Sequence, residues 1–132
     1  MNIRNKGSSG ELELCKRLQP FFLSELRRNL EQVRSGGSDI DGSWPFVIEC
    51  KRVEDIGMGN RNAWWRQVCK AVASESEIPV VAFRQNRSNW RYLLPASLIV
   101  SGNVDWCEVS EETFLQFVIQ VLRGPLSGRP EN

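Results

Sequence analysis

The chain predicts an α/β domain in which a mixed central β-sheet is flanked by helices, and three observations carry this. Apolar residues recur at helical spacing near the N-terminus, around residues 64–72 and over residues 110–122. Short apolar runs of strand length, Phe46 to Val53, Ile78 to Phe83 and Trp90 to Leu94, lie between them. Turn-forming stretches rich in Gly, Ser, Asn and Asp separate the two kinds of segment.

Taken in order, Ser8-Ser9-Gly10-Glu11 predicts a helix start, because Ser8 with Glu11 three residues later forms a capping-box pattern. Leu12, Cys15, Leu18 and Phe22 make its expected apolar face, and Pro20 predicts a break or a fresh turn. Strands are expected over Leu30 to Arg34, Asp39 to Gly42 and Phe46 to Val53, and Gly57-Met58-Gly59-Asn60 reads as a loop. A second helix then carries Trp64, Val68, Ala71 and Val72 on one apolar side, with Gln67 near its inner edge. Trp64 and Trp65 are adjacent and face different directions. At least one belongs in a core, which leaves the other for an unpaired base or a dimer contact. Ile78 to Phe83 is a buried strand, Arg84 to Asn89 a turn and Trp90 to Leu94 the partner strand, with a short segment from Pro95 to about Val100. Phe114, Phe117, Val118, Val121 and Leu122 give the last helix an apolar stripe for a core or dimer surface, with Ser110 and Glu111-Glu112 at its start. Residues 1–123 are expected to form one domain and residues 124–132 a flexible tail.

Chemistry concentrates in Ser35-Gly36-Gly37-Ser38-Asp39-Ile40-Asp41-Gly42, followed by Phe46-Val47-Ile48-Glu49-Cys50-Lys51-Arg52. Strand side chains alternate, so Glu49 and Lys51 share one face while Ile48 and Cys50 share the other. The turn between Asp39 and Glu49 is long enough to bring the chain back beside itself, so that two carboxylates meet. Mg²⁺ and Mn²⁺ are hard ions that prefer such oxygen ligands and keep water for a phosphate substrate. A cation held by Asp39 and Glu49 would polarise a phosphoryl oxygen and acidify water, while Lys51 positions that water or offsets developing charge. The competing account is a surface ion pair between Glu49 and Lys51, worth roughly 0–1 kcal/mol. It gives no reason for the apolar strand beneath the pair.

With Glu11 on the first helix, Asp39, Glu49-Cys50-Lys51 and Gln67 on a later helix, the chain resembles the PD-(D/E)XK nuclease superfamily. Lys6-Gly7 before Glu11, and Arg34-Ser35-Gly36-Gly37-Ser38 before the acidic turn, resemble archaeal-type Holliday junction resolvases and their phage-encoded relatives. The resemblance spans about residues 4–100. It implies a restriction-endonuclease-like core acting as a single nuclease domain, Mg²⁺ (or Mn²⁺) dependence, a homodimer, and cleavage of branched DNA to 5′-phosphate ends. Carried over by position, Glu11, Asp39, Glu49, Lys51 and Gln67 are the catalytic set. Asp39, Glu49, Glu11 and the backbone carbonyl of Cys50 are the metal ligands, and Lys6, Arg34, Ser35, Ser38 and Arg52 are the DNA contacts. Asp41 stands where these relatives usually have an apolar residue. If the segment is extended, Asp41 shares a face with Asp39, which leaves it open as an outer-shell or substitute ligand.

Composition bounds the alternatives. At 132 residues, with 41% apolar and 25% charged, the chain suits one ordinary globular core. It contains no histidine, which removes Ser-His-Asp and Cys-His catalysis and histidine metal sites. Cys15, Cys50, Cys69 and Cys107 form no Cys-x-x-Cys pair, so neither structural zinc nor a disulfide framework is expected; each is expected to fill apolar space. Residues 1–91 hold 15 Lys/Arg against 11 Asp/Glu, whereas the remainder holds 2 against 5, so the N-terminal two thirds is the part suited to a phosphate backbone. No apolar run approaches the roughly 20 residues that span a bilayer, and the N-terminus lacks the apolar region of a secretory signal. The cytoplasm, that of the host if the protein is phage-encoded, is the expected location. The resulting expectation is a Mg²⁺-dependent, structure-selective DNA endonuclease that cuts four-way junctions by two symmetric nicks. The alternatives are a noncatalytic DNA-binding or assembly subunit with the same fold, or a nuclease acting on flaps, forks or other DNA.

Overall fold

A computed structural model of the chain describes residues 3–30, 38–53, 58–85, 87–102 and 104–124. The elements are α1 (Ile3–Leu18), a 3₁₀ turn (Gln19–Phe21), β1 (Arg27–Arg28), β2 (Ile40–Asp41), β3 (Phe46–Val53), α2 (Met58–Ala71), β4 (Ile78–Gln85), β5 (Arg91–Pro95), β6 (Trp106–Ser110) and α3 (Glu111–Arg123). A second 3₁₀ turn, Ala96–Leu98, follows β5. One sheet has the order β3-β4-β5-β6, and β1 pairs with β2 separately. Strands β3 and β4 are parallel while β4-β5 and β5-β6 are antiparallel, which makes the sheet mixed as expected. The parallel pair requires a crossover, and α2 supplies it.

Alternation along the strands builds two cores. Ile48, Val80, Ala82, Tyr92 and Leu94 face α1 and α3, where Leu14, Cys15, Leu18, Phe114 and Val118 cover them. Val47, Val81, Phe83 and Leu93 face the other way, onto Trp64, Trp65 and Val68 of α2. Phe46 ties α3 and the turn after α1 to the sheet, with edge-on ring contacts to Phe22 at 6.0 Å, Phe114 at 5.8 Å and Phe117 at 5.8 Å. Each such pair adds roughly 0.5–1.5 kcal/mol beyond the area it buries. Tyr92 stacks on Phe114 at 4.2 Å and donates its hydroxyl to Glu111 Oε2 at 2.8 Å. Arg17 also binds Glu111, so one carboxylate links α1, β5 and α3.

Several expectations are corrected here. Helix α1 starts at Ile3, so Ser8 and Gly10 lie inside it and do not cap it. Gly10 serves packing instead: a Cβ there would stand 2.9 Å from Cγ and Cδ of Arg52, so its absence lets α1 lie close on β3. The buried stripe runs through Leu14 rather than Leu12, which is 50% exposed. The first strand is Arg27–Arg28, and Leu30 is an exposed turn residue. Pairing chooses that place, because Arg27 and Arg28 are the residues opposite Asp41 and Ile40. Met58, Gly59 and Asn60 are helical, not loop. Both Trp64 and Trp65 are buried, which leaves neither for stacking on a base. Strand β6 had no distinct sequence expectation; its partners Tyr92, Leu93 and Leu94 supply what its own residues do not announce. Cys69 is exposed and fills no apolar space, while Cys15 is buried. Strand β3 and helix α3 form where expected, the latter capped by Ser110, whose hydroxyl accepts Thr113 N–H. Residues 125–132 of the expected tail and 31–34 of the expected first strand lie outside the described residues. Among the described residues no helix is long and apolar enough to cross a membrane.

Candidate active site

The site forms where the chain returns from β2 into β3, the edge strand of the larger sheet. Gly42 makes the return possible. Its φ is +91°, and a Cβ on it would stand 2.2 Å from the backbone oxygen of Glu25. Backbone bonds then lock the segment: Asp39 N–H donates to Ile48 O at 3.0 Å, and Asn29 N–H donates to Asp39 O at 2.8 Å. Asn29 also gives its side-chain amide to Ser38 O at 2.8 Å. Ser38 Oγ donates to Ile40 O at 3.0 Å, which places its hydroxyl in the local turn.

Asp39 is 6% exposed and Glu49 3%. Cys50 N–H donates to Asp39 Oδ2 at 2.8 Å. The two carboxyl groups lie close enough for each to act on the titration of the other. Burial and then the neighbouring Asp39 push Glu49 from its ordinary 4.5 up to about 8, with the charge of Lys51 opposing. Burial also raises Asp39, although Cys50 N–H, the neighbouring Glu49 and the charge of Lys51 pull it down. Near neutral pH the pair therefore retains a proton.

Gln67 of α2 bridges the acid and the base of β3. Its Nε2 donates to Glu49 Oε1 at 3.3 Å, and its Oε1 accepts Lys51 Nζ at 2.9 Å. Glu49, Lys51 and Gln67 thus meet on the α2 side of the sheet. Burial pushes the Cys50 thiol well above its usual value, so it stays a neutral thiol packed toward α1.

Glu11 sits on α1 and accepts Arg28 Nε at 3.1 Å. Burial raises its pKa, Arg28 lowers it, and the charge of Asp39 raises it again. Among the described residues no group of three or more His, Cys, Asp or Glu side chains stands ready to hold a metal ion. Asp39 and Glu49 converge as a pair, and Glu11, held by Arg28, stands near enough for its charge to act on Glu49. Asp41 is exposed on β2 opposite Arg27. Arg52 lies on the α1 face, opposite to Lys51, where its guanidinium is 3.6 Å from Glu13. Strand alternation dictates that separation, and a DNA contact by Arg52 would have to compete with Glu13. Arg34 and Ser35 lie outside the described residues, as does the side chain of Lys6. Sequence reasoning did not single out Asn29 as the clasp on Asp39 or Arg28 as the partner of Glu11. No short-range pattern signals either, because β1-β2 pairing creates the first contact and the packing of β1 on α1 creates the second.

Two buried carboxylates that share a proton, beside a lysine, are a donor set suited to a hard divalent cation, which would replace that proton. An acidic turn clasped to an edge strand, an acid and a lysine two residues apart on that strand, and a glutamine on the crossover helix make this a PD-(D/E)XK-type core. The family model described as "Phage putative PDDEXK endonuclease" matches residues 2–116, and the chain belongs to that family. Among curated proteins none matches. Among solved structures the chain is similar to Hjc of Archaeoglobus fulgidus, a Holliday junction resolvase from an archaeal hyperthermophile, at 16% identity and a TM-score of 0.49, covering 83% of this chain and 87% of that one.

Proposed function

We propose that the protein is a divalent-metal-dependent DNA endonuclease whose reacting centre is Asp39, Glu49, Lys51 and Gln67, and that its substrate is a four-way DNA junction. The observation that carries this is the buried Asp39–Glu49 pair, with Asp39 fixed by Cys50 N–H and Lys51 held beside Glu49 by Gln67. A purely structural role does not account for two carboxyl groups buried against each other.

Asp39, Glu49 and the backbone carbonyl of Cys50 would hold Mg²⁺ or Mn²⁺, with Glu11 reaching the ion or its water from α1. The cation, when bound, supplies Lewis acidity for a phosphodiester oxygen and for the attacking water. Lys51 offsets charge that grows on the phosphoryl oxygens, and Gln67 orients the Lys51 ammonium toward that place. Asp39 is held by Cys50 N–H, so the pair is positioned before substrate arrives.

Junction preference and a homodimer rest on the motif resemblance of Lys6-Gly7 and Arg34-Ser35-Gly36-Gly37-Ser38, together with symmetry. Two cuts related by a two-fold axis need two sites related in the same way. Lys6, Arg34, Ser35, Ser38 and Arg52 would contact the DNA. Residues 1–123 would act as the nuclease domain and 124–132 as a tail, in the cytoplasm of a phage-infected host.

The test is cleavage of a labelled immobile four-way junction beside linear duplex and a flap, in Mg²⁺, Mn²⁺ or EDTA, with Glu49→Gln as control. Paired symmetric nicks on the junction alone, absent in EDTA and in the variant, are expected. Equal cutting of all three substrates would replace the junction by DNA in general. Tight binding with no cutting would make the chain a noncatalytic subunit.

A further inference from the structure

A second feature lies across the sheet from the acidic pair. Register places Lys51 beside Phe83 and Phe83 beside Arg91, so these three side chains form one row on the α2 face. At the far end of the row is an open cleft of about 530 Å³, lined among others by Arg61, Phe83, Arg87, Asn89, Arg91 and Glu108. Arg61 comes from α2, with its guanidinium 5.2 Å from the centre of the Phe83 ring. Glu108 of β6 accepts Arg61 Nε on one oxygen and Arg91 Nε on the other, both at 2.7 Å. Burial alone would raise the Glu108 carboxyl, but the two arginines outweigh it and hold it below the usual value. Glu108 is therefore ionised and holds two guanidinium groups in place. The lining carries three arginines against this one carboxylate, an excess of positive charge in a built cleft.

We propose that this cleft binds a backbone phosphate of the DNA strand a few nucleotides from the cut, with Arg91, held in place by Glu108, and the exposed Arg87 as the contacting cations and Arg61 as the second guanidinium fixed by Glu108. The inference deepens the nuclease reading and rests on it. Arg91 is two strands from Lys51, roughly 10 Å at the usual strand spacing, which is within reach of a strand held at the acidic pair. Planar guanidinium groups suit a phosphate, and groups already fixed by Glu108 lose little freedom on binding it. The cleft would position the strand for cutting and would be blind to sequence, because phosphates carry none.

The experiment is fluorescence anisotropy of a labelled four-way junction and of a linear duplex, titrated in EDTA over a series of NaCl concentrations. Wild type is compared with Arg87→Asn, with Arg87→Asn combined with Arg91→Gln, and with Arg123→Gln as a matched loss of charge on α3. Arg87 is exposed, and asparagine tolerates its φ of 64°, so Arg87→Asn keeps the test sound even if the double variant loosens β5-β6. Weaker binding by about tenfold in the double variant, a smaller loss in Arg87→Asn, and a salt slope shallower by about 0.9 for each phosphate no longer neutralised are expected, with Arg123→Gln unchanged. Wild-type affinity and slope in both cleft variants would overturn the proposal, as would an equal loss in Arg123→Gln. Cleft-dependent binding by a wild type that cuts nothing would sink the nuclease reading and leave the cleft standing.

Discussion

The Asp39 carboxylate accepts the backbone N–H of Cys50 at 2.8 Å, which ties the acidic turn to the residue beside Glu49 on β3. One bond thereby serves two ends. It satisfies a backbone donor, and it fixes the carboxylate against its partner. Asp39→Asn keeps an oxygen for the Cys50 N–H but removes the charge, so cleavage should vanish while the fold persists. Asp39→Ala should in addition lower stability by about 1–3 kcal/mol, because it strands that donor. Cleavage by Asp39→Asn at the wild-type rate would remove Asp39 from the reacting centre; thermal unfolding measures the rest.

Glu49 gives a pH dependence with a definite sign. Its folded pKa of about 8 lies above the ordinary 4.5, so between these values the folded state binds more protons than the unfolded one. This contribution is fully present below about pH 4.5 and is lost as pH rises through about 8. The metal-free protein should lose stability over that window by an amount on the order of a few kcal/mol. Glu49→Gln should flatten the slope. A melting temperature that climbs steadily from pH 5 to pH 8.5 in EDTA would contradict the shared proton.

Metal binding should oppose that loss. Mn²⁺ added at pH 8 is expected to raise the melting temperature of the wild type, by about 2.7 kcal/mol of stabilisation at a concentration 100 times its dissociation constant. The same addition should leave Glu49→Gln nearly unchanged. An equal rise in both proteins would place the ion elsewhere.

Gln67 holds Lys51 by a bond of 2.9 Å and touches Glu49 at 3.3 Å. Gln67→Leu removes both bonds from an exposed helix position and should cost little stability. Its cost should fall on kcat, roughly tenfold to a hundredfold, because Lys51 loses its position while DNA affinity persists. A change confined to KM would assign Gln67 to binding instead.

Gly42→Ala should be among the most damaging single-methyl changes in the chain. It combines a φ of +91° with a Cβ placed 2.2 Å from the oxygen of Glu25. A loss of at least about 2 kcal/mol is expected, together with lower cleavage, since Asp39 rides on the same turn. Wild-type stability of Gly42→Ala in chemical denaturation would show that the turn relaxes without cost.

Local signals reached a good part of this molecule. The period-two pattern of Phe46 to Val53 foretold both the strand and the split of Glu49 and Lys51 from Ile48 and Cys50, because alternation is a property of the extended backbone itself. Helix α3 was legible from its apolar stripe and from Ser110, since its cap and its buried face are both short-range features. The capping-box signal at Ser8 misled, because α1 already runs through it and Gly10 is explained only by Arg52 on β3.

The order of residues was enough to dictate the inventory and its local geometry: carboxylates without histidine, an acid and a lysine on one strand face, and apolar stripes that demand partners. Which groups meet was left to the packing of the folded chain. Packing set Asp39 against Glu49, gave Glu11 to Arg28, turned Arg52 toward Glu13, and brought Arg61 and Arg91 to the same Glu108. The reason is physical. A local pattern follows from the repeat of the backbone, whereas a contact between distant residues follows from how sheets and helices stack, and burial then sets the charge that each group carries.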